Sequence, residues 1–286
     1  MKISIIIPAY NEAQNLSFLL PEIKKFFLTS DNPLEIIVVD DGSEDDTERV
    51  AREEGVHVLR HPYNMGNGAA IKTGLRNATG DVCVFIDADL QHPPQEISKL
   101  IEPLGEYEMV IGVRRSSAQK LHRRIANRFF NMLASYVTGR KILDLTSGFR
   151  AVKTEAAKKF ISLLPNGFSY PTTLTLAFLK TGRGVKFLPV DSNPRNTGRS
   201  KISLLQDGIR FVLIIAKIAT VYSPFRVFLP ISFFFFITGL LYYIYTFSAF
   251  HRFTNMSLLL FTTSVLIFML SLIAEQIAQL YIKESE

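Results

Sequence analysis

The stretch FIDADLQHPP, Phe85 to Pro94, decides how the chain is read. Apolar residues run up to Asp87, one alanine follows, and then comes Asp89. The run has the length and Val/Ile content of a buried strand. A carboxylate at the end of such a strand is costly unless something pairs with it. Taken alone, D-A-D also suits a simple turn. What the rest of the chain offers those two charges is therefore the first question.

Working outward, apolar runs alternate with helical patterns. ISIIIP (3–8) reads as a strand, and NLSFLLPEIKKFF as an amphipathic helix interrupted near Pro21. LEIIVVD (34–40) is a second strand, and DDTERVAREE a helix with Asp45 or Asp46 near its cap. VHVLRH is a third strand, GNGAAIKTGLRNA a helix, and DVCVFIDAD a fourth strand. Such alternation predicts an α/β domain with a mostly parallel sheet. Ligands bind beyond the carboxyl ends of such strands. The polar signals PAYNE, DDGS and DAD fall there.

If DDGS ends a neighbouring strand, four acids crowd one sheet edge and repel unless a cation enters. Hard carboxylate oxygens without clustered His or Cys suit Mg²⁺ or Mn²⁺ rather than zinc. Asp87 and Asp89 are the expected metal ligands, with Gln91 placed to add an amide oxygen. Such a cation bridges to a substrate diphosphate. The chain has no GxxxxGK[ST], and MGNGAAIKTG is not a GxGxxG following a strand. Its glycines are expected to open a helix that carries backbone donors. Asn64 and Asn67 serve equally well as caps. The single cysteine, Cys83, is expected to be inert packing and excludes a disulfide framework.

The apolar content of this 286-residue chain is uneven. Val227 to Phe250 and Phe253 to Ala274 carry no charge, and each is long enough to span a bilayer as a helix. The short link AFHRFTN makes them a hairpin. Arg210, Lys217 and Arg226 before the first span, and Lys283 after the second, favour cytosolic ends. Met1-Lys2 leads straight into ISIII without a signal peptide, so the large amino-terminal part is expected in the cytosol. A net charge of +6 suits an anionic leaflet. No aromatic-basic RNA motif or helix-turn-helix signal points to nucleic acid. LHRRIANRFFNMLASYVTG (121–139) pairs apolar residues at helical spacing with a basic face, the pattern of an interfacial helix. Residues 204–224 form a second, juxtamembrane amphipathic helix. The expected organisation is a cytosolic catalytic domain over 1–203, that helix, and a transmembrane hairpin over 225–286.

IIPAYNE (6–12), VVDDGSEDDT (38–47), NMGNGAA (64–70), FIDADLQHPP (85–94) and TSGFRAV (146–152) resemble the family-2 glycosyltransferases with a GT-A, Rossmann-like fold. Within them the chain resembles the polyprenyl-phosphate sugar transferases of the dolichyl-phosphate mannose synthase type. The resemblance implies a nucleotide-diphosphate sugar donor, a UDP- or GDP-sugar, bound by Pro8, Ala9, Tyr10, Asn11, Glu12, Asp40, Asp41, Asn67, Lys72, Asp87 and Ala88. It implies a polyprenyl phosphate acceptor, undecaprenyl or dolichyl, and a Mg²⁺ or Mn²⁺ cofactor on Asp87, Asp89 and Gln91. The acceptor phosphate is expected at Arg114, Arg128, Ser147, Arg150, Arg195, Ser200 and Lys201. Asp89, Arg128, Arg114 and Asp144 are the expected catalytic set, Asp144 as a weak base or an orienting group. Oligomeric state is left open, a homo-oligomer included.

The charges argue for that acceptor independently. A sugar hydroxyl needs a general base near neutral pH. A phosphate monoester is mostly dianionic at pH 7 and needs cations and positioning instead, which arginine forks supply. Two other readings stand beside this one. A lipid hydroxyl acceptor would want a base and little from the arginines. A non-catalytic membrane-anchored scaffold would not need clustered acids.

Overall fold

The computed structural model describes residues 1–28, 32–114, 121–167, 169–193 and 204–285. Two compact units emerge, Met1–Ser135 with Arg140–Ile214, and Tyr136–Gly139 with Ile215–Glu286. In the first unit the strands are β1 (Ile3–Ala9), β2 (Leu34–Asp40), β3 (His57–Arg60), β4 (Val82–Phe85), β5 (Met109–Arg114), β6 (Arg150–Lys153) and β7 (Val185–Val190). Between them lie α1 (Ala13–Phe27), α2 (Thr47–Glu53), α3 (Asn67–Asn77), α4 (Glu96–Ile101), α5 (Leu121–Thr138), α6 (Thr154–Lys158) and α7 (Tyr170–Lys180).

The sheet order is β3-β2-β1-β4-β6-β5-β7. β1 lies between β2 and β4 and is parallel to both, with Ile7 opposite Val38 and Ile6 opposite Phe85. The chain thus steps outward from β1 through β2 to β3, then returns to the other side of β1. That reversal is a topological switch point, and it opens a crevice at the carboxyl ends of β1 and β4. The sheet is mostly parallel, as expected. The exception is β6, antiparallel to both β4 and β5.

α1 packs by a stripe at helical spacing: Leu16, Leu19, Leu20, Ile23 and Phe27 are buried against Ile3, Ile5, Ile7 and Val38. Each such side chain contributes roughly 1.5–3 kcal/mol on burial. The expected interruption at Pro21 does not occur, and α1 runs through it. Pro21 sits on the exposed face, so the carbonyl it leaves unbonded faces water rather than the core. A second expectation needs shortening. β4 stops at Phe85, and Asp87 and Asp89 stand in the turn beyond it.

The second unit holds α9 (Pro224–Phe250) and α10 (Asn255–Ser285), entered through α8 (Leu204–Tyr222), which begins in the first. By length and composition Pro224–Phe250 and Asn255–Leu280 can each cross a membrane. Phe225 meets Phe268, Phe236 meets Phe261, and Tyr243 meets Phe253. One number falls as the other rises, so the helices are antiparallel. The Ser232 hydroxyl donates to Ser264 O and the Ser264 hydroxyl to Ser232 O, both at 2.9 Å. The second helix continues past the expected end at 274, because Glu275 does not break it. Its carboxylate accepts the Phe225 N–H at 3.1 Å, meeting one of the orphan donors at the start of α9.

Two outcomes test this packing. Cys83 is buried beside the Thr154 hydroxyl, and burial pushes its thiol up to about 11. At pH 8 only about one thiol in a thousand is ionised, so Cys83 should resist a chromogenic disulfide reagent until the protein is unfolded. Gly42 has φ +73°, and a Cβ there would lie 2.5 Å from the Tyr63 carbonyl carbon. Gly42→Ala should cost at least about 1–3 kcal/mol, read as a lowered unfolding midpoint in detergent.

Candidate active site

The turns after β1 and β2 are laced together. Asn11, in the left-handed region at φ 56°, donates its N–H to the Ser43 hydroxyl at 2.9 Å. Its side-chain oxygen accepts the Glu44 N–H, also at 2.9 Å. The Glu12 N–H donates to the Thr47 hydroxyl and the Ala13 N–H to Asp45. Asp45 also accepts the Thr47 N–H at the start of α2, so of the two acids expected near that cap it is the one that bonds there. Pro8 and Ala9 pair with Val39 and Asp40, which sets PAYNE beside DDGS, with Tyr10 half-buried in the turn.

The two adjacent aspartates have different work. Asp41 is spent on the scaffold. One oxygen accepts His61 Nδ1 at 2.7 Å and the Met65 N–H at 2.9 Å, and the other accepts the Gly66 N–H at 2.8 Å. A nucleotide contact at Asp41 would have to share these oxygens. Asp40 is fully buried, and its Oδ1 accepts the Ser43 N–H. Its Oδ2 has no hydrogen-bond partner among the described residues, and the nearest cation is Arg60 Nε at 3.7 Å. A buried carboxylate oxygen left open at a strand end is an acceptor in want of a donor.

The start of α3 differs from its expected reading. The Gly68 N–H donates to Gly167 O, and the Ala69 N–H to Gly66 O and Asn166 O. Those donors are met by protein rather than held out to an anion. Lys72 turns the same way: its ammonium donates to Leu164 O at 3.2 Å and to the Asn166 side chain. Burial pushes that ammonium down. Lys72 thus braces the 164–167 loop. Asn67 Oδ1 is buried without a hydrogen-bond partner.

Antiparallel pairing of Phe85 with Arg150 sets Asp87 across from Gly148. A Cβ on Gly148 would lie 3.0 Å from Asp87 Oδ2 and 3.3 Å from the Tyr170 hydroxyl, so only a glycine lets TSGFR approach this closely. Ala88 is buried and Leu90 is left-handed at φ 59°. Asp89 Oδ1 accepts the Gln91 N–H at 3.2 Å. His92 stacks on Phe149, ring centroids 4.5 Å apart, and ties the two loops together. His92 and Tyr170 are not legible as site residues in the sequence. Both are packing partners across strands, and nothing local to their own stretches marks them.

The four-acid crowd is not formed. Among the described residues no three His, Cys, Asp or Glu side chains converge as a metal cage. Strand order explains this, since β1 stands between β2 and β4 and puts Asp40 about 10 Å from the DAD turn. Two carboxylates with an amide oxygen still fit Mg²⁺ or Mn²⁺, which keep waters and take phosphate oxygens for the rest.

On the other flank, the Ser147 hydroxyl donates to Gly112 O at 2.6 Å near the end of β5. Arg150 is fully buried and donates to Ser147 O, Pro171 O and Thr175 Oγ1. Burial pushes its guanidinium down to about 10, while Tyr170, Asp144 and Asp87 pull the other way, so it stays charged at neutral pH. So enclosed, Arg150 bonds the TSG strap and α7, and a part in acceptor binding would run through them. Asp144 Oδ1 accepts the Thr146 N–H and hydroxyl at 3.1 and 3.0 Å. Arg128 is exposed on α5. Arg195, Ser200 and Lys201, and the Arg114 side chain, lie outside the described residues.

Residues 4–161 match Glycosyl transferase family 2. The chain belongs to that family. Residues 223–280 match a second model, the GtrB C-terminal hairpin. Among relatives of this family-2 chain is an undecaprenyl-phosphate 4-deoxy-4-formamido-L-arabinose transferase of Klebsiella pneumoniae, 32% identical over 212 residues. The match covers 72% of this chain but 64% of that enzyme, which is the longer protein. An uncharacterized protein of Methanocaldococcus jannaschii is 32% identical over 230 residues, 76% of this chain and 93% of its own. The glucosyl-3-phosphoglycerate synthase of Mycobacterium tuberculosis, solved with Mn²⁺, UDP and glucosyl-3-phosphoglycerate, superposes with a TM-score of 0.62 at 22% identity. The superposition covers 76% of this chain and 80% of that one. At that identity the likeness speaks to the GT-A fold.

The scaffold role of Asp41 has a direct test. In Asp41→Asn the amide must turn its NH₂ toward one of the N–H donors it now accepts from. The loss should be about 1–3 kcal/mol, seen as a lower midpoint in thermal unfolding. An unchanged midpoint would mean the loop does not depend on this carboxylate.

Proposed function

We propose that the chain transfers a hexose from a nucleotide-diphosphate sugar to a polyprenyl phosphate, with inversion, on the cytosolic face of a membrane. One observation carries the reading: a switch-point crevice with an open buried acceptor at Asp40 and carboxylates at Asp87 and Asp89 shares a chain with a hairpin of two helices long and apolar enough to cross a membrane. The undecaprenyl-phosphate transferases among its relatives support the same acceptor class.

Asp40 Oδ2 accepts a donor from the nucleoside, with Pro8, Ala9, Tyr10, Asn11 and Glu12 forming the turn beside it. Asp87, Asp89 and Gln91 would hold the divalent cation, which supplies positive charge to the departing nucleotide diphosphate. The bound polyprenyl phosphate presents an oxygen to the anomeric carbon. The new C–O bond forms as the bond to the diphosphate breaks, and the electron pair leaves with the nucleotide. No proton has to be removed, because the phosphate arrives as an anion. Exposed Arg128, with Arg114, Arg195, Ser200 and Lys201, would neutralise and orient it. The hydroxyl-acceptor alternative would need Asp144 as base. That residue is buried and accepts two hydrogen bonds inside its own turn, which favours an orienting role.

The test is a product assay in detergent, with a panel of UDP- and GDP-sugars, undecaprenyl or dolichyl phosphate, and Mg²⁺ or Mn²⁺. One donor should give a lipid product that a chelator abolishes. Asp89→Asn should lower kcat by at least about a hundredfold while the protein still sediments with membranes. Transfer only to lipid hydroxyls, or full activity in Asp89→Asn, would overturn the reading.

A further inference from the structure

Around the axis of α5, at 3.6 residues per turn, three faces separate. Phe130, Ala134 and Val137 are buried. On the far side Phe129 and Met132 are 48% and 63% exposed, and Arg128 stands next to them. Between these faces lie Asn131 and Ser135, and they hold a loop. Asn131 Nδ2 donates to Leu143 O at 2.7 Å, and Asn131 Oδ1 accepts the Leu145 N–H at 3.1 Å. The Ser135 hydroxyl accepts the Ile142 N–H at 3.0 Å. Ile142 and Leu145 are buried, but Leu143 between them is 45% exposed, and Arg140 and Lys141 just before it are exposed too.

The last turn of α5 is fixed from the hairpin side. Arg226, third residue of α9, donates to Tyr136 O at 2.5 Å and to Val137 O at 3.1 Å. The Tyr136 hydroxyl donates back to Arg226 O. The carboxyl end of α5 therefore lies where the first span begins, at the membrane boundary if the hairpin spans. An apolar tip preceded by two basic residues fits an anionic lipid surface.

We propose that Asn131 is a positioning residue that fastens Leu143 and Asp144 to α5, so that Leu143 enters an anionic bilayer surface together with Phe129 and Met132. Loop and helix then move as one body. The depth of Leu143 sets the height of Asp144, and of the Ser147 strap beyond it, against the headgroups. The inference rests on the membrane reading of the hairpin, and on no particular sugar or lipid acceptor.

The chain has no tryptophan, so Leu143→Trp introduces a single indole. The full-length variant is reconstituted into phosphatidylcholine–phosphatidylglycerol vesicles containing lipids brominated near the headgroup. The emission should be quenched, and Asn131→Ala in the same background should lose most of that quenching. Asn131→Asp keeps the acceptor for Leu145 and should fall between the two. In transfer assays Asn131→Ala, which removes both hydrogen bonds, should raise KM for the lipid phosphate about tenfold, with donor affinity unchanged. Equal quenching in both backgrounds, or none at position 143, overturns the inference. Phe234→Trp, on the exposed face of the first span, separates the causes. Quenching there by deeply brominated lipids with none at 143 sinks the clamp alone, whereas no quenching at either position sinks the membrane reading with it.

Discussion

A guanidinium without water holds the acceptor flank of the crevice together. Burying an arginine costs several kcal/mol unless its donors and its charge are met. Arg150 finds Ser147 O, Pro171 O and Thr175 Oγ1 for its two Nη groups, Nε has no hydrogen-bond partner among the described residues, and the carboxylates of Asp144 and Asp87 lie within electrostatic reach. Those partners come from the TSG strap and from α7. One side chain therefore pins the strap down, and the strap brings Gly148 onto Asp87. The antiparallel β6 follows from the same requirement, since a parallel strand there would carry Ser147 and Gly148 away from the DAD turn.

Much of the architecture could be read from the chain alone. ISIIIP and LEIIVVD became β1 and β2 almost residue for residue, because runs of β-branched residues bounded by turn signals leave little choice. The hairpin is as plain, since two long uncharged stretches joined by a short link leave little other choice. Side-chain direction was harder to read. Asp40 and Asp41 are chemically identical and adjacent, yet one faces the crevice and the other ties down a loop 24 residues away. Successive strand residues point to opposite faces, but which face meets a ligand depends on the strand order. Lys72 and Arg150 pose the same difficulty. A cation in a motif reads as a phosphate ligand until a carbonyl from a distant segment, Leu164 or Pro171, is seen to take it up.

The two units carry opposite patterns of exposure. In α1 apolar side chains turn inward. In α9 and α10 Phe233, Phe234, Leu266 and Leu270 turn outward, while Ser232, Ser264 and Ser271 are buried. The reciprocal Ser232–Ser264 bonds satisfy hydroxyls that hydrocarbon would leave unmet. They also select one register between the helices, which uniform Phe and Leu packing would not do.

The Asp41-tethered loop separates trace from decoration. Two of its hydrogen bonds hold the main chain at Met65 and Gly66, a third holds the His61 ring, and none uses the side chain of Tyr63, Asn64 or Met65. Those three side chains are exposed beside the crevice. Divergence or engineering can therefore rewrite that rim while the backbone beneath it keeps its course, much as a fixed socket accepts interchangeable heads.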